Sequence, residues 1–272
     1  MRNFAAMKAY KVCMSVAGSD PSGGAGLQAD LKTFTILGCY GQAVPTALTV
    51  QNTLGVQQSI ALEASLVKRQ IEAILADCPP RCLKIGIVPH AETALALVHI
   101  LERREIAFTV IDPVLVSSSG HLLADEGARC IMKERLMPLC SLITPNLPEA
   151  RILTGAAETS IEDCAFQLFE MLHGPAILLK GGHREGKPTD ILCDADGLHY
   201  FTAQRIQTHN DHGTGCVLSS AITAYMCHGL SLPKAIEKAK LFVTHALERG
   251  ADYELGKGHG PMYLLPSEKE DI

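Results

Sequence analysis

Short runs of apolar and β-branched residues alternate along this chain with longer stretches of helical periodicity, and no other feature restricts its fold so far. Lys11–Ala17, Gly41–Val50, Leu83–Ile87, Phe108–Asp112, Leu142–Thr144 and Ala176–Lys180 read as strands, while Leu27–Leu37, Ala64–Ala76, Ala91–Glu102, Asp125–Leu136 and Ile161–Leu172 read as helices. A strand–helix–strand order carries the chain through crossovers into parallel strands whose two faces are covered by helices. The expected architecture is α/β, a mostly parallel central sheet with helices on both faces, and ligands in such sheets gather at the carboxyl ends of the strands. After Lys180 the pattern changes to short strands around turns, Asp190–Cys193 and His199–Phe201, and then to two helices, Thr214–His228 and Leu232–Arg249. No linker, repeat or low-complexity segment interrupts it, so residues 1–272 read as a single domain with mobile ends at about 1–8 and 267–272.

Two glycine-rich turns punctuate this order, Gly18-Ser-Asp20-Pro-Ser-Gly-Gly-Ala25-Gly26 and His212-Gly213-Thr214-Gly215-Cys216, and each leaves an apolar stretch to open a helix. Glycine permits backbone conformations that a Cβ forbids, so successive N–H groups in the second turn converge on one point, where the following helix adds positive potential. That arrangement suits an anion, most commonly a phosphate. Cys216 opens the helix behind this turn, and a helix N-terminus lowers a thiol pKa. The expectation is a thiolate base beside a phosphate cradle.

With 272 residues, 47% of them hydrophobic, the chain is long enough for a full core, and no uninterrupted apolar run suggests a membrane span. A net charge of −5 gives no electrostatic reason to expect nucleic acid or an acidic membrane surface. Ten cysteines are scattered through expected strands and helices, and no secretory signal opens the chain, so a reducing cytoplasm with free thiols fits best. Cys78-Pro-Pro-Arg-Cys82 resembles half of a zinc site, but no second pair at ligand spacing comes after it.

Three familiar patterns are incomplete. Gly24-Ala-Gly-Leu-Gln-Ala29 matches a dinucleotide fingerprint, but the next strand ends in Gln51-Asn52 without the acidic residue that would hold a ribose. Gly181-Gly-His-Arg-Glu-Gly186-Lys187-Pro188 ends in proline where a P-loop has a hydroxyl, and Thr189–Cys193 behind it reads as strand, so a hairpin loop is expected. Asp194-Ala-Asp-Gly197 starts like a calcium loop, lacks the closing glutamate, and reads as a turn.

Taken together, Val16 to Phe34, Thr46-Ala-Leu-Thr-Val-Gln-Asn-Thr53, Ile143-Thr-Pro-Asn-Leu-Pro-Glu149-Ala, Lys180-Gly-Gly-His183, His212-Gly-Thr-Gly-Cys216 and Gly256-Lys-Gly-His-Gly-Pro261 resemble the hydroxymethylpyrimidine/phosphomethylpyrimidine kinases of thiamine biosynthesis, with a ribokinase-like fold. The resemblance implies ATP- and Mg2+-dependent phosphorylation of 4-amino-5-hydroxymethyl-2-methylpyrimidine and then of its monophosphate, in a cytoplasmic homodimer. It matches Gln51 to the pyrimidine, whose amino group and adjacent ring nitrogen a two-sided carboxamide complements, with Gly18, Asp20 and Ala25 lining the same pocket. Gly213, Thr214, Gly215 and Cys216 are then the donors and the base. Lys180 neutralises the transferred phosphate, Asp112 and Glu149 hold magnesium directly or through water, and Asn146, Lys180, His212 and Gly215 serve the nucleotide.

The chain departs from the pattern at Asn210-Asp211-His212, where relatives read Asn-Thr-His, which puts an extra carboxylate near the anion turn. Its Val114–Gly120 loop lacks the lid cysteine of relatives that phosphorylate pyridoxal through two cysteines, which argues against pyridoxal as the main substrate. Two rivals stand beside this reading: a pyridoxal/pyridoxine kinase, and a silent ligand-binding protein of the same fold. Cys216, Lys180, Asp112 and Glu149 together argue against silence, because binding alone requires no base.

Overall fold

The alternation in the sequence becomes one sheet. Strands β1 (Val12–Ser19), β2 (Tyr40–Asn52), β3 (Gly55–Ala61), β4 (Cys82–Ile85), β5 (Phe108–Ile111), β6 (Leu142–Ile143), β7 (Ala176–Leu179), β8 (Thr189–Asp194) and β9 (Gly197–Thr202) lie in the order β3-β2-β1-β4-β5-β6-β7-β8-β9. The central run from β2 to β7 is parallel, whereas β3 pairs antiparallel with β2, and β8 and β9 extend the other edge as an antiparallel meander. This computed structural model describes residues 9–117, 120–155, 160–182 and 186–265. Both expected mobile ends, together with His183, lie outside the described residues.

Period-two alternation in the central strands feeds two cores. Met14 and Val16 of β1, Leu83 and Ile85 of β4 and Ile111 of β5 face one side, where they meet α2 (Ala64–Asp77), α3 (Ala91–Leu101), α4 (Glu126–Ile131), α5 (Leu147–Thr154) and α6 (Ile161–Leu172). Cys13, Cys82, Phe108 and Val110 face the other, against α1 (Gly26–Ile36), α7 (Thr214–Cys227) and α8 (Leu232–Gly250). A nearly continuous apolar strand thus serves two hydrophobic layers.

Three elements differ from the sequence reading. Strand β3 is absent from it, because Gly55-Val-Gln-Gln-Ser-Ile-Ala61 carries little apolar signal: it is an edge strand, half-exposed along its length. Helix α5 is absent from it too. It is short, and its start is fixed by a reciprocal cap in which Asn146 Oδ1 accepts from the Glu149 N–H while Glu149 Oε2 accepts from the Asn146 N–H, both at 2.8 Å. The helix expected over Asp125–Leu136 is α only to Ile131, then widens to a π turn over Met132–Leu136 and closes as a 3-10 turn at Met137–Leu139. The segment after Lys180 is a hairpin connection as expected, since β7 and β8 pair antiparallel, and Asp194–Gly197 is the turn between β8 and β9.

On the α7 side of the sheet lies a fully buried ion pair that the sequence did not announce. Lys84 of β4 donates to both carboxylate oxygens of Asp30 on α1, at 2.8 and 3.0 Å, and neither side chain is exposed. Ser15 of β1 and Ser220 of α7 donate their hydroxyls to the same carboxylate, at 2.5 and 2.7 Å. Burial works against the Lys84 ammonium, but the charge of Asp30 outweighs it, and with the smaller contributions of Cys216 and Asp112 it holds the lysine pKa above its ordinary value. Four elements therefore meet on one carboxylate.

Desolvating two charges is costly, and their attraction repays it only when geometry and auxiliary hydrogen bonds are good, so breaking the pair exposes the full penalty. Lys84→Met is expected to lower the unfolding free energy by about 3–5 kcal/mol, measured by urea denaturation, with Lys84→Met/Asp30→Asn recovering part of the loss. A single-variant cost no greater than that of a surface ion pair, about 0–1 kcal/mol, would show that the pair does not organise the fold.

Candidate active site

The two glycine-rich turns touch each other. Gly213 sits at φ 85° as the N-cap of α7, and a Cβ there would collide with the carbonyl oxygen of Gly24. Gly26 at φ 54° opens α1 so close to the Gly18 carbonyl that a Cβ would overlap it as well. Only glycine satisfies both the positive φ and the close approach. No side chain caps α7, which leaves its N-terminal dipole directed into the space between the turns.

Cys216 lies where the two helix starts converge, and its sulfur accepts from the N–H of Gly26. Burial weighs against the expected thiolate and pushes the Cys216 pKa up; Lys84 opposes the rise, the negative charges of Asp30 and Asp112 add to it, and the Gly26 N–H opposes it. Cys216 is partly exposed, so desolvation and the field of the helix N-terminus compete at this sulfur.

Beside it, the carboxyl ends of β5, β6 and β7 bring together three charged groups. Lys180 Nζ donates to Asp112 Oδ1 at 2.6 Å and lies 4.0 Å from Glu149 Oε2, and Thr144 Oγ1 donates to the same Asp112 oxygen at 3.2 Å. Burial disfavours the charged lysine, but Asp112 and Glu149 outweigh it and raise its pKa. Burial chiefly, with repulsion from Asp112, raises Glu149 to about 7 against the pull of Lys180 and the Asn146 N–H. A Cβ on Gly215 would stand 3.3 Å from Lys180 Nζ and 3.5 Å from Asp112 Oδ2, so the anion turn and this cluster share one space. Lys180 is held from behind by a bond from its own N–H to the Pro145 carbonyl. The N–H of the following Gly181 donates to buried Asp190, which Lys240 pairs at 2.6 Å.

A second group faces this one across the glycine turns. His212 Nε2 lies 2.9 Å from Asp20 Oδ2 and 3.2 Å from Gln51 Nε2. Asp20 is only 3% exposed and accepts from the Ser22 N–H, the Ser22 hydroxyl and the Ala25 N–H. Burial alone would raise its pKa, but the hydrogen bonds from His212, Ser22 and Ala25 prevail and hold it at about 2. A carboxylate only accepts, so His212 Nε2 carries the proton, and Gln51 Nε2, itself a donor, faces a second donor. A 180° rotation of the carboxamide places its oxygen there and turns its NH2 toward Thr49 Oγ1, which lies 3.2 Å from the present oxygen.

The residues expected from sequence thus fall into two clusters. Gln51, Asp20 and His212 form one; Lys180, Asp112, Glu149 and, through its cap, Asn146 form the other, with Gly213 to Cys216 between. His212 stands beside Gln51 and Asp20. Gly18 packs on Ile87, whose side chain would meet a Cβ at 2.6 Å. Asp211 Oδ1 pairs with His259 Nδ1 at 2.7 Å, and both side chains are exposed. Lys84 and Asp30 are the pair that sequence reasoning missed, and both bear electrostatically on Cys216. A lysine among the buried alternating positions of a strand was the available signal.

Hard carboxylate oxygens at Asp112 and Glu149, the latter with a pKa raised by burial and then by Asp112, form a donor set suited to a magnesium ion that also binds phosphate oxygens.

Comparison with known proteins bears on this arrangement. The phosphomethylpyrimidine kinase family pattern matches residues 20–263. A hydroxymethylpyrimidine/phosphomethylpyrimidine kinase of Rhizobium meliloti is 42% identical over 93% of this chain and 96% of its own length, and that of Escherichia coli is 40% identical over 92% and 96%. The bifunctional thiamine biosynthesis protein ThiED of Geobacter sulfurreducens is 44% identical over 94% of this chain, which spans only 52% of that longer protein. Among solved structures, phosphomethylpyrimidine kinase from Clostridium difficile superposes with a TM-score of 0.76 at 38% identity, covering 87% of this chain and 99% of that one. A Staphylococcus aureus pyridoxal kinase in complex with AMP-PCP gives 0.85 at 31% identity, covering 94% of each chain. With the family pattern spanning nearly the whole domain and curated relatives matched along almost their full length, this chain belongs to the phosphomethylpyrimidine kinase family.

Proposed function

We propose that this chain phosphorylates the hydroxymethyl group of 4-amino-5-hydroxymethyl-2-methylpyrimidine and then the resulting monophosphate, with ATP as donor, in thiamine diphosphate biosynthesis. The observation that carries the proposal is the placement of Cys216 between two helix N-termini, with a lysine–carboxylate cluster on one side and the Gln51–His212–Asp20 group on the other. Phosphoryl transfer needs an aligned hydroxyl, fixed positive potential on the moving group and an acceptor for one proton. The turn Gly213-Thr214-Gly215 supplies N–H donors, Lys180 supplies charge, and Cys216, ionised in the field of Lys84 and the Gly26 N–H, receives the hydroxyl proton as the bond from the hydroxyl oxygen to phosphorus forms and the bond from phosphorus to the ADP oxygen breaks. Asp112 and Glu149 would hold magnesium directly or through water, and the ion would supply positive charge to the nucleotide phosphates; Asn146 and Gly215 contact the nucleotide.

On the acceptor side, Gln51 reads the aminopyrimidine edge, with Gly18 and Ala25 leaving room for the flat ring. Asp20 organises the first glycine turn and holds His212, so His212 serves the acceptor side at least as directly as the nucleotide. A second reading, phosphorylation of pyridoxal, is favoured by the likeness to the Staphylococcus aureus pyridoxal kinase. Purified protein with MgATP and each of three alcohols, the pyrimidine, its monophosphate and pyridoxal, separates the two by the mass of the products.

A homodimer of cytoplasmic location completes the proposal. Supporting it, Leu48 and Val50 of β2 and Ile60 of β3 share one exposed face, with Leu48 opposite Ile60 in register. Among the described residues no helix is long and apolar enough to cross a membrane, and no disulfide joins the cysteines. Val50→Glu is expected to shift sedimentation to that of a monomer; an unchanged sedimentation coefficient would remove this face from any interface.

Cys216→Ser keeps the turn but replaces the thiol by a hydroxyl that ionises far less readily than even the raised thiol, so turnover is expected to fall by roughly 10²-fold or more. Nucleotide affinity should change little. Near-normal turnover in a phosphoryl-transfer-limited assay would exclude the thiol as base.

The raised Glu149 pKa gives a signed pH effect. Because magnesium requires the carboxylate and apo Glu149 holds its proton to about pH 7, MgATP affinity should rise as pH increases through neutrality, by up to about tenfold per unit below that pKa. Calorimetry on Glu149→Gln should show weaker and pH-independent MgATP binding across the same window. A retained slope would assign the titration to another group.

A Gln51→Glu change replaces a donor by a carboxylate facing the pyrimidine ring nitrogen. Pyrimidine affinity should fall by about ten- to a hundredfold, the equivalent of roughly 1–3 kcal/mol, with MgATP affinity nearly constant. Equal pyrimidine affinity in wild type and variant would mean that Gln51 does not read the ring.

A further inference from the structure

At the amino end of the sheet, opposite the active site, four cysteines from distant parts of the chain gather on the α7 face. Cys13 of β1, Cys39 in the turn before β2 and Cys227 at the end of α7 have sulfurs all within 4.8 Å of one another, and all three residues are buried. Cys82 of β4 is paired in register with Cys13, and its thiol contacts that of Cys227. No sequence spacing reveals this cluster, because its members come from positions 13, 39, 82 and 227; Cys78, the partner of Cys82 in the apparent half-site, is exposed and lies outside it.

We infer that Cys13, Cys39 and Cys227 form a binding site for a soft divalent metal ion, zinc above all, with His228 as fourth ligand. A tetrahedral zinc centre with Zn–S bonds of about 2.3 Å and a Zn–N bond of about 2.0–2.1 Å has S···S separations near 3.8 Å and S···N separations near 3.6 Å. The three sulfurs, all within 4.8 Å of one another, must close by at most about 1 Å to reach the first value. His228 Nε2 stands 3.5 Å from Cys39 Sγ, and its ring turns inward to meet the other two sulfurs. In its present state this nitrogen also lies 2.7 Å from the Leu37 carbonyl, and ligation replaces that bond. Three thiolates and a neutral imidazole around Zn2+ leave one net negative charge, and Lys11 and Arg81 stand close enough to bear on these sulfurs.

Cys13 Sγ and Cys39 Sγ donate to the carbonyls of Thr223 and Ala224, at 3.9 and 3.8 Å, and Cys227 Sγ donates to the Val12 carbonyl at 3.5 Å. The first two carbonyls belong to the closing turns of α7, whose negative dipole end attracts the cation and repels the thiolates, an opposition that Lys11 and Arg81 offset. Loading releases three thiol protons to solvent and forms three Zn–S bonds and one Zn–N bond, with no change of oxidation state. Cys39 and His228 lie at the surface side of the cluster and provide the entry path.

The test uses the whole chain, reduced and freed of metal with a chelator, then dialysed against limiting Zn2+ or Co2+. One metal ion per chain is expected, with thiolate-to-cobalt charge-transfer absorption and the visible bands of a tetrahedral ion. Zinc should also raise the thermal unfolding midpoint, and chelator should reverse the rise. X-ray absorption of the zinc-loaded wild type should give about three sulfurs at 2.3 Å and one lighter ligand, a readout that needs no variant. Cys39→Ala, at the rim, should abolish stoichiometric binding, whereas Cys216→Ser and Cys78→Ser should retain it. No metal after equilibration, a shell without sulfur, or binding lost in Cys216→Ser and kept in Cys39→Ala would each overturn the site. The expected stoichiometry and thermal shift are independent of kinase turnover, so they stand or fall apart from the proposed activity.

Discussion

The Asp30 carboxylate, buried against Lys84, is the point on which the rest of this structure turns. Its four hydrogen-bond donor contacts come from β1, β4 and α7, and it resides on α1, the helix opened by the first glycine turn. Hydrophobic contact would hold these elements together but would allow them to slide, whereas a charged, fully desolvated group admits few alternative geometries. The same demand explains a small residue nearby. A Cβ at Gly86 would come within 3.2 Å of Lys84 Nζ and 2.8 Å of the Ala17 side chain, so glycine there makes room for the ammonium.

Fixing α1 against α7 in this way also fixes the distance between the two glycine turns that begin them. Gly213 lies against Gly24, and Cys216 accepts from Gly26, so the helix starts form one concave surface with donors from both. Asp20 then has a structural duty beside any contact with a ligand: three of its acceptor contacts hold its own turn, and the fourth fixes His212 at the entrance of the other. On the opposite flank, Lys180 is kept charged by two carboxylates that repel each other.

Much of this was legible in the sequence, and the remainder was hidden for definable causes. The central strands announce themselves because both faces are buried, and the two phosphate-type turns because glycine at a positive φ leaves a visible residue pattern. Edge strand β3 was not legible, since Val56, Gln57, Gln58 and Ser59 answer to an edge that is half solvent. Helix α5 hid behind Pro145 and Pro148, which read as loop, although Asn146 and Glu149 were in view as site residues and turn out to be its capping pair. The rise in the Cys216 pKa was invisible for a different reason: sequence shows that a thiol follows a glycine turn, but burial and the carboxylates beside it are properties of the packed chain. The partners of Lys84 and of Cys13 were hidden in the same way, because each comes from a residue far away in sequence.

Helix α7 connects these observations. Cys216, Ser220 and Cys227 are spaced to lie along one face, which passes from the thiol between the turns, over the Asp30 carboxylate, to the cysteine cluster about 16 Å away. Leaving the start of α7 without a side-chain cap forgoes only about a few tenths of a kcal/mol, because its N-cap is glycine. The rest of the helix compensates by burial: Val217 to Ala224 and Cys227 are enclosed almost without interruption between the sheet and α8. A helix anchored along its length in this manner can present bare N–H groups at one end without fraying. The open terminus between the two turns is therefore a consequence of how completely the remainder of the helix is held.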